Sequence, residues 1–472
     1  MELATARKLI KKLENKAAEK QAAIQQAERY YANQNDILFK KETRTDKNDN
    51  PLRTADNRLS HAWYGLLVDQ KASYVAGYPP TFDLGRDDLN DKVKSYLGDN
   101  FTRLFRQLVV NASNAGIAWL HPYRDTDDVI KLAVVDAAQI IPIYEPGFKS
   151  NKLAGFWWIY DSYDDNADEI TVFEFWDDEK CTSFYIEKGE THDLDSNLKT
   201  YDIFRLIDLS TRESIGMTNE YAHDFGCVPL FAFRNNPQES IDLDKVKQQI
   251  DVYDKVMSGF VNDADDVQEI IFVLTNYGGE DKNEFLTDLK RYKMIQLESD
   301  EESKGELNTL AIDIPVEARS KILEITREAI FVLGQGVDPQ KNIGTNNSGV
   351  ALKQMYALLE LKVSALEAEF RAGFNELLRF ILSQIGAPAD TIITQTWTRT
   401  LISNDAEMAD IISKLASVTS RENIAKSNPI VEDPEEELEN LAREKQEDYQ
   451  MADGYRTADE VEIDDEEESS DE

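Results

Sequence analysis

The sequence predicts an α+β fold, and three features carry that expectation. Short aromatic and β-branched runs recur at hairpin spacing between Gly116 and Phe233, stretches on either side have helical periodicity, and strands and helices are segregated instead of alternating. A chain of 472 residues is too long for one simple core, so two or three structural units are expected.

The first element is a charged, Ala-rich helix over Glu2–Tyr31, with Leu3, Ile10, Leu13, Ala17 and Ile24 as a thin apolar stripe. Residues 33–57 are polar, and Lys47-Asn48-Asp49-Asn50-Pro51 reads as a loop. Helices come next over Leu59–Ala76 and Asp88–Ser113; the first carries Trp63, Leu66, Leu67, Val68 and Val75 and stops at Gly77 and Pro79-Pro80. Then come the strand-like runs GIAWLHPY, IKLAVVD, QIIPIYE, GFWWIYD, EITVFEFW, SFYIEKG and KTYDIFRLI. The block Phe225–Phe260 reads as a strand, a polar turn at Asn235-Asn236-Pro237 and the clearest helix, Ile241–Asp263. On it Leu243, Val246, Ile250, Tyr253, Met257 and Phe260 recur at spacings of 3, 4, 3, 4, 3. Such a seam is too narrow to be satisfied within one subunit and is expected to bury against long helices of neighbouring copies.

A compact insert comes next, with EIIFVLTNY, YKMIQLE and GELNTLAID as strands around a helix at Asp281–Arg291. Pro315 opens a further helix, where its missing N–H costs nothing, running through Ile322, Leu323, Ile325, Ile330 and Leu333 to Gly334. Gly336–Gly349 is a glycine- and asparagine-rich loop. Val350–Ile385 is a long helix with Met355, Leu359, Leu366, Phe370, Leu377 and Ile381 on one face and Gly373 as a bend or close-packing point. Leu401–Ala425 reads as short closing helices, and from Pro429 onward the composition predicts disorder or a frayed charged helix.

Net charge is the compositional outlier, at −38. Residues 429–472 hold 20 acidic and 3 basic side chains, and the rest of the chain is acidic as well. Proteins that grip duplex DNA do so with Lys and Arg that displace counterions, so a general DNA-gripping role is excluded. No apolar run approaches the roughly 18 residues that span a bilayer, so no membrane role is expected, and the N-terminus lacks a signal-peptide pattern. Cys181 and Cys227 alone, in so long a chain, imply a reducing compartment without a disulfide framework.

No motif supports catalysis, a cofactor or a resident metal. Gly344–Gly349 has P-loop glycine spacing, but Val350-Ala351 stands where a phosphate loop needs Lys and Ser or Thr. Asp46, Asn48 and Asn50 begin like a calcium loop, but Pro51 replaces the turn glycine and Asn57 the bidentate Glu. His61, His121, His192 and His223 pair with no other His or Cys at metal-ligand spacing. Asp263, Asp265 and Asp266 read as a solvated helix end, with an ion or partner site as the alternative. The clusters Trp157-Trp158 and Phe173, Phe175, Trp176 read as sheet core, since no basic residues interleave with them.

Three blocks in order, Asn57–Pro80, Phe225–Phe260 and Ser348–Val363, resemble the portal protein of tailed double-stranded-DNA bacteriophages of the long non-contractile-tail (siphovirus) type. The resemblance spans roughly Tyr30–Ile385. It implies an N-terminal helical segment (1–29), a mixed α/β wing (30–240), a two-helix stem (241–267 and 315–335) and a small β-containing clip (268–314). A tunnel loop (336–349), a long helix (350–385), a helical crown (386–428) and an acidic tail (429–472) complete it. The implied function is a non-enzymatic ring, twelve subunits in the virion, through which DNA is packaged and ejected. Lys341, Asn342, Asn346 and Asn347 would contact DNA from the tunnel loop. Implied partners are the terminase large subunit, a head-completion or adaptor protein, and the major capsid and scaffolding proteins, at the capsid portal vertex and, during assembly, in the bacterial host cytoplasm. Two alternatives stand beside this reading: a carboxylate-dependent nucleic-acid-processing enzyme and a monomeric acidic scaffold or adaptor. Ring formation separates the portal from both, and metal-dependent nuclease or ATPase activity would favour the enzyme.

Overall fold

The computed structural model describes residues 1–39, 55–147 except 126 and 128, 152–188 except 165, 194–207, 214–267, 271–275, 306–310, 314–340, 349–400 except 389, 413–414, 419–427, 431 and 437–445. The chain forms two compact units, Met1–Asp338 with Leu358–Thr400, and Pro339–Ala357 with Leu401–Glu472. The expected α+β class is the observed one.

Helix α1 (Leu3–Tyr31) buries Ala6, Ile10, Ile24, Ala27 and Tyr30 on one stripe. Helix α2 (Trp63–Ala76) ends where the sequence placed its stop. The single helix expected over Asp88–Ser113 is instead two, α3 (Asp87–Leu97) and α4 (Phe101–Ala115). Gly98, at φ +73°, ends the first, because a left-handed residue cannot continue an α-helix.

The strands make two main antiparallel sheets. A three-stranded sheet has the order β12-β2-β3, from Phe231–Arg234, Ile117–Arg124 and Ile130–Val135. The larger sheet runs β11-β7-β6-β5-β4, from Glu220–Ala222, Lys180–Glu187, Glu169–Trp176, Leu153–Tyr163 and Ile140–Tyr144, with β8 (Lys199–Thr200) beside β7. After a single-turn helix α5 (Leu194–Asn197), the run KTYDIFRLI splits into β8 and β9 (Phe204–Ile207), and β9 leaves the sheet to pair with β10 (Ser214–Thr218). Phe173 faces Phe184 in register, and both join Trp157, Ile10 and Leu198 in a fully buried cluster, so these aromatics are core as the sequence indicated. Short β1 (Thr81–Asp83), which pairs with β15 (Thr394–Thr396), had no sequence signal strong enough to place it.

The helix expected over Ile241–Asp263 is interrupted: a 3-10 turn spans Asp242–Lys245, and α6 proper is Lys247–Val267. In the insert, β13 (Ile271–Thr275) pairs antiparallel with β14 (Glu306–Leu310), while the expected strand YKMIQLE and the helix Asp281–Arg291 lie outside the described residues. Helices α7 (Val316–Leu333) and α8 (Gly349–Gln384) come after it. Gly373 is a close-packing point: a Cβ there would lie 2.6 Å from the Ala232 carbonyl oxygen. Around it Phe105, Phe233, Phe370 and Phe374 pack with ring centroids 4.9–6.2 Å apart. Described helical residues of the second unit include α9 (Arg421–Ser427) and the run 437–445.

Candidate functional site

The paired helices α6 and α7 carry the residues that the heptad-like seam singled out, and the structure divides that seam. Leu243, Val246 and Ile250 are buried in the subunit's own core with Tyr30, Tyr64, Leu67 and Phe331. This corrects the expectation for those three: they precede or open α6, and the turn at 242–245 directs them inward. Tyr253 is partly buried, its ring edge-on to His61 and Trp63 at 4.8 and 5.4 Å. Met257 and Phe260 are partly exposed. Arg319 of α7 lies over the Phe260 ring at 5.8 Å and pairs with Asp263, which ties the two helices together.

The exposed apolar surface lies elsewhere on this pair. Ile322, Ile325, Val332 and Leu333 of α7 are 45, 56, 47 and 44% exposed. With Ala329 between them, 322, 325, 329 and 332 form a stripe of helical spacing, while Thr326, Ile330 and Phe331 face the core. On α6, Val252 is exposed, and Gly259, two turns further along the same face, has open space beside it.

The opposite side of α6 is polar and occupied. Residues 57–61 run antiparallel along it, and their backbone amides meet its side chains in order. Asn57 N–H donates to Asn262 Oδ1 (2.6 Å), Leu59 N–H to Ser258 Oγ (3.0 Å) and His61 N–H to Asp254 Oδ1 (3.1 Å). Asp254 is fully buried; His61 Nδ1 lies 2.8 Å from it, and Asn35 Nδ2 donates to it at 2.6 Å.

A buried charge cluster joins α2, the 3-10 turn and α8. Lys71 and Lys362 share one carboxylate, with Asp242 Oδ2 at 3.0 and 2.9 Å. Lys71 also donates to Asn235 and to Ser113 Oγ, and Asn235 Nδ2 donates to Asp242 Oδ1 at 2.9 Å. Burial drives the Lys71 ammonium down to about 8, with Asp242 opposing and Lys362 adding to the shift. Burial alone would raise Asp242, but Lys362 and Lys71 override it and hold the carboxyl well below the usual range.

Lys362 also reaches the loop root where α7 ends, donating to the Gly334 carbonyl at 3.1 Å. Gln70 of α2 pairs with Val337 in both directions, Nε2 to the carbonyl at 2.7 Å and Oε1 from the amide at 3.0 Å. Arg327 holds both Asp338 oxygens at 2.6 and 2.7 Å.

Of the residues singled out in the sequence, Lys341, Asn342, Asn346 and Asn347 lie outside the described residues, as does His192. Asp263 binds Arg319, and Asp265 accepts from Asn57 Nδ2. His121 Nδ1 donates to the Pro229 carbonyl, and His223 Nε2 to that of Asp177. Cys181 is buried and Cys227 half-buried, both as free thiols. Sequence reasoning missed Lys71, Asp242, Lys362 and Gln70. A signal existed for the lysines: Lys71 sits four residues from both Leu67 and Val75, and Lys362 falls between Leu359 and Leu366, each a charge on an apolar face.

The sequence signature of a family described as "Phage portal protein, SPP1 Gp6-like" matches residues 10–451. A portal protein of Clostridium phage phiCD119 is 41% identical over 434 residues, covering 89% of this chain and 92% of that protein. The portal protein of Bacillus phage SPP1 is 31% identical over 436 residues, covering 88% of this chain and 82% of that protein. A chain from the neck of a native GTA particle, solved with C12 symmetry, is 12% identical with a TM-score of 0.45, covering 77% of this chain and 88% of that one.

Proposed function

The chain belongs to the SPP1 Gp6-like phage portal family, and from that premise we infer a ring-shaped DNA conduit at one capsid vertex, assembled through α6 and α7. The observation that carries the assembly reading is the apolar stripe Ile322, Ile325, Val332 and Leu333, which a solitary subunit leaves in water. In a heterologous, closing contact it packs against the exposed face of the next copy's α6, where Val252 and Gly259 leave room for close approach. Tyr253, Met257 and Phe260 line the edge of that contact.

On this reading α6 and α7 are the stem, residues 30–240 the wing, β13 and β14 part of the clip, and 386–428 the crown. The ring has twelve copies in the virion and no enzymatic activity of its own. A separate terminase supplies the energy of packaging; terminase and then a head-completion protein dock on the clip, and capsid and scaffolding proteins surround the ring. Lys341, Asn342, Asn346 and Asn347 contact DNA weakly, because many strong phosphate pairs would arrest a moving duplex. The strongly acidic chain keeps DNA from adhering elsewhere. Imaging of the purified protein should give closed rings, and a stable monomer at micromolar concentration would overturn the assembly reading. Lys341→Glu should leave rings intact and impair packaging or retention of the genome; normal packaging would make the loop a passive connector.

A further inference from the structure

We propose that α1 presents a docking surface for an acidic stretch of another protein, held by Lys8, Lys12 and Lys16. The surface belongs to a helix that the assembly reading does not use.

Four-residue spacing sets the three lysines one above another, about 6 Å apart along the axis and about 12 Å from first to last. All three are exposed. The other side of the helix is fixed. Ala6 and Ile10 are buried in one cluster with Trp157, Phe173 and Phe184, and Arg7 donates to the Leu198 carbonyl at 2.9 Å. The row is therefore carried on a rigid support, and a partner need not order it.

Charge at this place runs against that of the chain. Residues 1–20 hold six basic and three acidic side chains, in a chain of net charge −38. Around the larger sheet Lys152, Lys180, Lys188 and Lys199 each meet a carboxylate at 2.7–3.1 Å. That is the expected outcome where 90 acidic side chains face 52 basic ones. Among the described residues, no carboxylate pairs with Lys8, Lys12 or Lys16. A solvated surface accounts for one such lysine. Three in line on one helix, left open amid surplus carboxylates, form a site that complements negative charge from outside.

The size of the row selects its occupant. Exposed Glu2 and Glu19 bound it on the same helix, and the rest of the chain is acidic. Duplex DNA carries a charge about every 1.7 Å of axis, so a rod laid along the row runs past both ends onto repelling surface. Charges farther than about 8 Å are largely screened at physiological salt, so a short polypeptide feels chiefly the lysines. A helix with carboxylates at the same four-residue spacing matches the row pair for pair.

The test titrates assembled wild-type protein and a Lys8→Gln, Lys12→Gln, Lys16→Gln triple variant with three labelled probes. These are a capped helical peptide with Glu at every fourth position, its Gln counterpart and a short duplex DNA, read by fluorescence anisotropy. Gln keeps helix propensity, and the sites are exposed, so the variant should assemble and melt as wild type does. The Glu peptide should bind wild type and bind the variant about tenfold or more weakly, since each exposed ion pair contributes up to about fivefold. The Gln peptide should bind neither, and Arg at all three positions should retain binding. Equal affinity of wild type and variant for the Glu peptide would overturn the proposal, as would its failure to bind wild type. Duplex DNA held more tightly than the peptide, and released by the same substitutions, would also overturn it and make the row a phosphate site. If the triple variant does not assemble, Lys12→Gln, at the centre of the row, decides by the same comparison, with a loss of roughly twofold to fivefold expected.

Discussion

Replacing Ile325 by Asp places a carboxylate in the middle of the apolar stripe of α7. Burying a whole Ile, Val or Leu side chain is worth about 1.5–3 kcal/mol. The four side chains of the stripe are each about half exposed in the subunit, so covering what is left contributes roughly 1 kcal/mol apiece and roughly 4 kcal/mol per contact. Ile325→Asp removes one of these shares and adds an unpaired charge to the contact, at a cost of several kcal/mol. The total is comparable to what the stripe supplies, and each 1.4 kcal/mol is about tenfold in affinity, so association should weaken by roughly a thousandfold or more. In the isolated subunit the same change sits on a largely solvated surface and should cost little, about 0.5 kcal/mol or less. Sedimentation velocity at micromolar concentration should therefore show rings for wild type and folded, smaller species for Ile325→Asp, with Ile322→Asp behaving alike. A folded Ile325→Asp protein that sediments as the wild-type ring would refute the argument.

Other perturbations test the interior. Asp242→Asn strands two buried ammonium groups and should destabilise the subunit by about 3–5 kcal/mol, read by denaturant unfolding, with partial recovery on adding Lys362→Met. His121 is held by burial at about 4, below its ordinary 6.5, with the nearby His223 adding to the shift. The unfolded chain takes up this proton as pH falls through 6.5 and the folded one does not until about 4, so stability should decline by roughly 3 kcal/mol over that window, and less in His121→Phe. Gly373→Ala should cost about 1–3 kcal/mol, since the added methyl meets the Ala232 backbone, and a melting temperature equal to wild type would contradict the close-packing account.

The fold was legible in the sequence wherever periodicity is the controlling signal. The run EITVFEFW coincides with β6, and the stripe on α1 buries Ile10 and Ile24 as read, because burial on one face dictates those residues directly. The failures come from single backbone residues and from tertiary partners. Gly98 divided a helix that periodicity carried straight through. The 3-10 turn after Ile241 sent Leu243, Val246 and Ile250 into the subunit core, which spacing alone could not reveal, because a narrow seam looks the same whether its partner lies in the same chain or the next. On α7 the apolar residues were noted, but both faces are apolar, and only packing shows that Ile330 and Phe331 are taken while Ile322 and Ile325 are exposed. The loop root was invisible for another reason: Gln70 is distant in sequence from Val337, and a polar side chain that serves a backbone leaves no periodic trace.

The run of amides from Asn57 to His61 along α6 works as a gauge of length. Two residues of extended chain advance about 6.7 Å, while the four helical residues between successive acceptors advance about 6.0 Å. The two scales part by about 0.7 Å at each step, so across the three amides they are out by roughly 1.4 Å, near what hydrogen-bond geometry absorbs. Like the marks of a vernier, they coincide over one short interval and nowhere else. Sliding α6 by a residue in either direction would bring apolar or misdirected side chains to those amides, so the coincidence selects a single axial setting of the helix. Identical copies that share this gauge would carry the far ends of α6 to the same height.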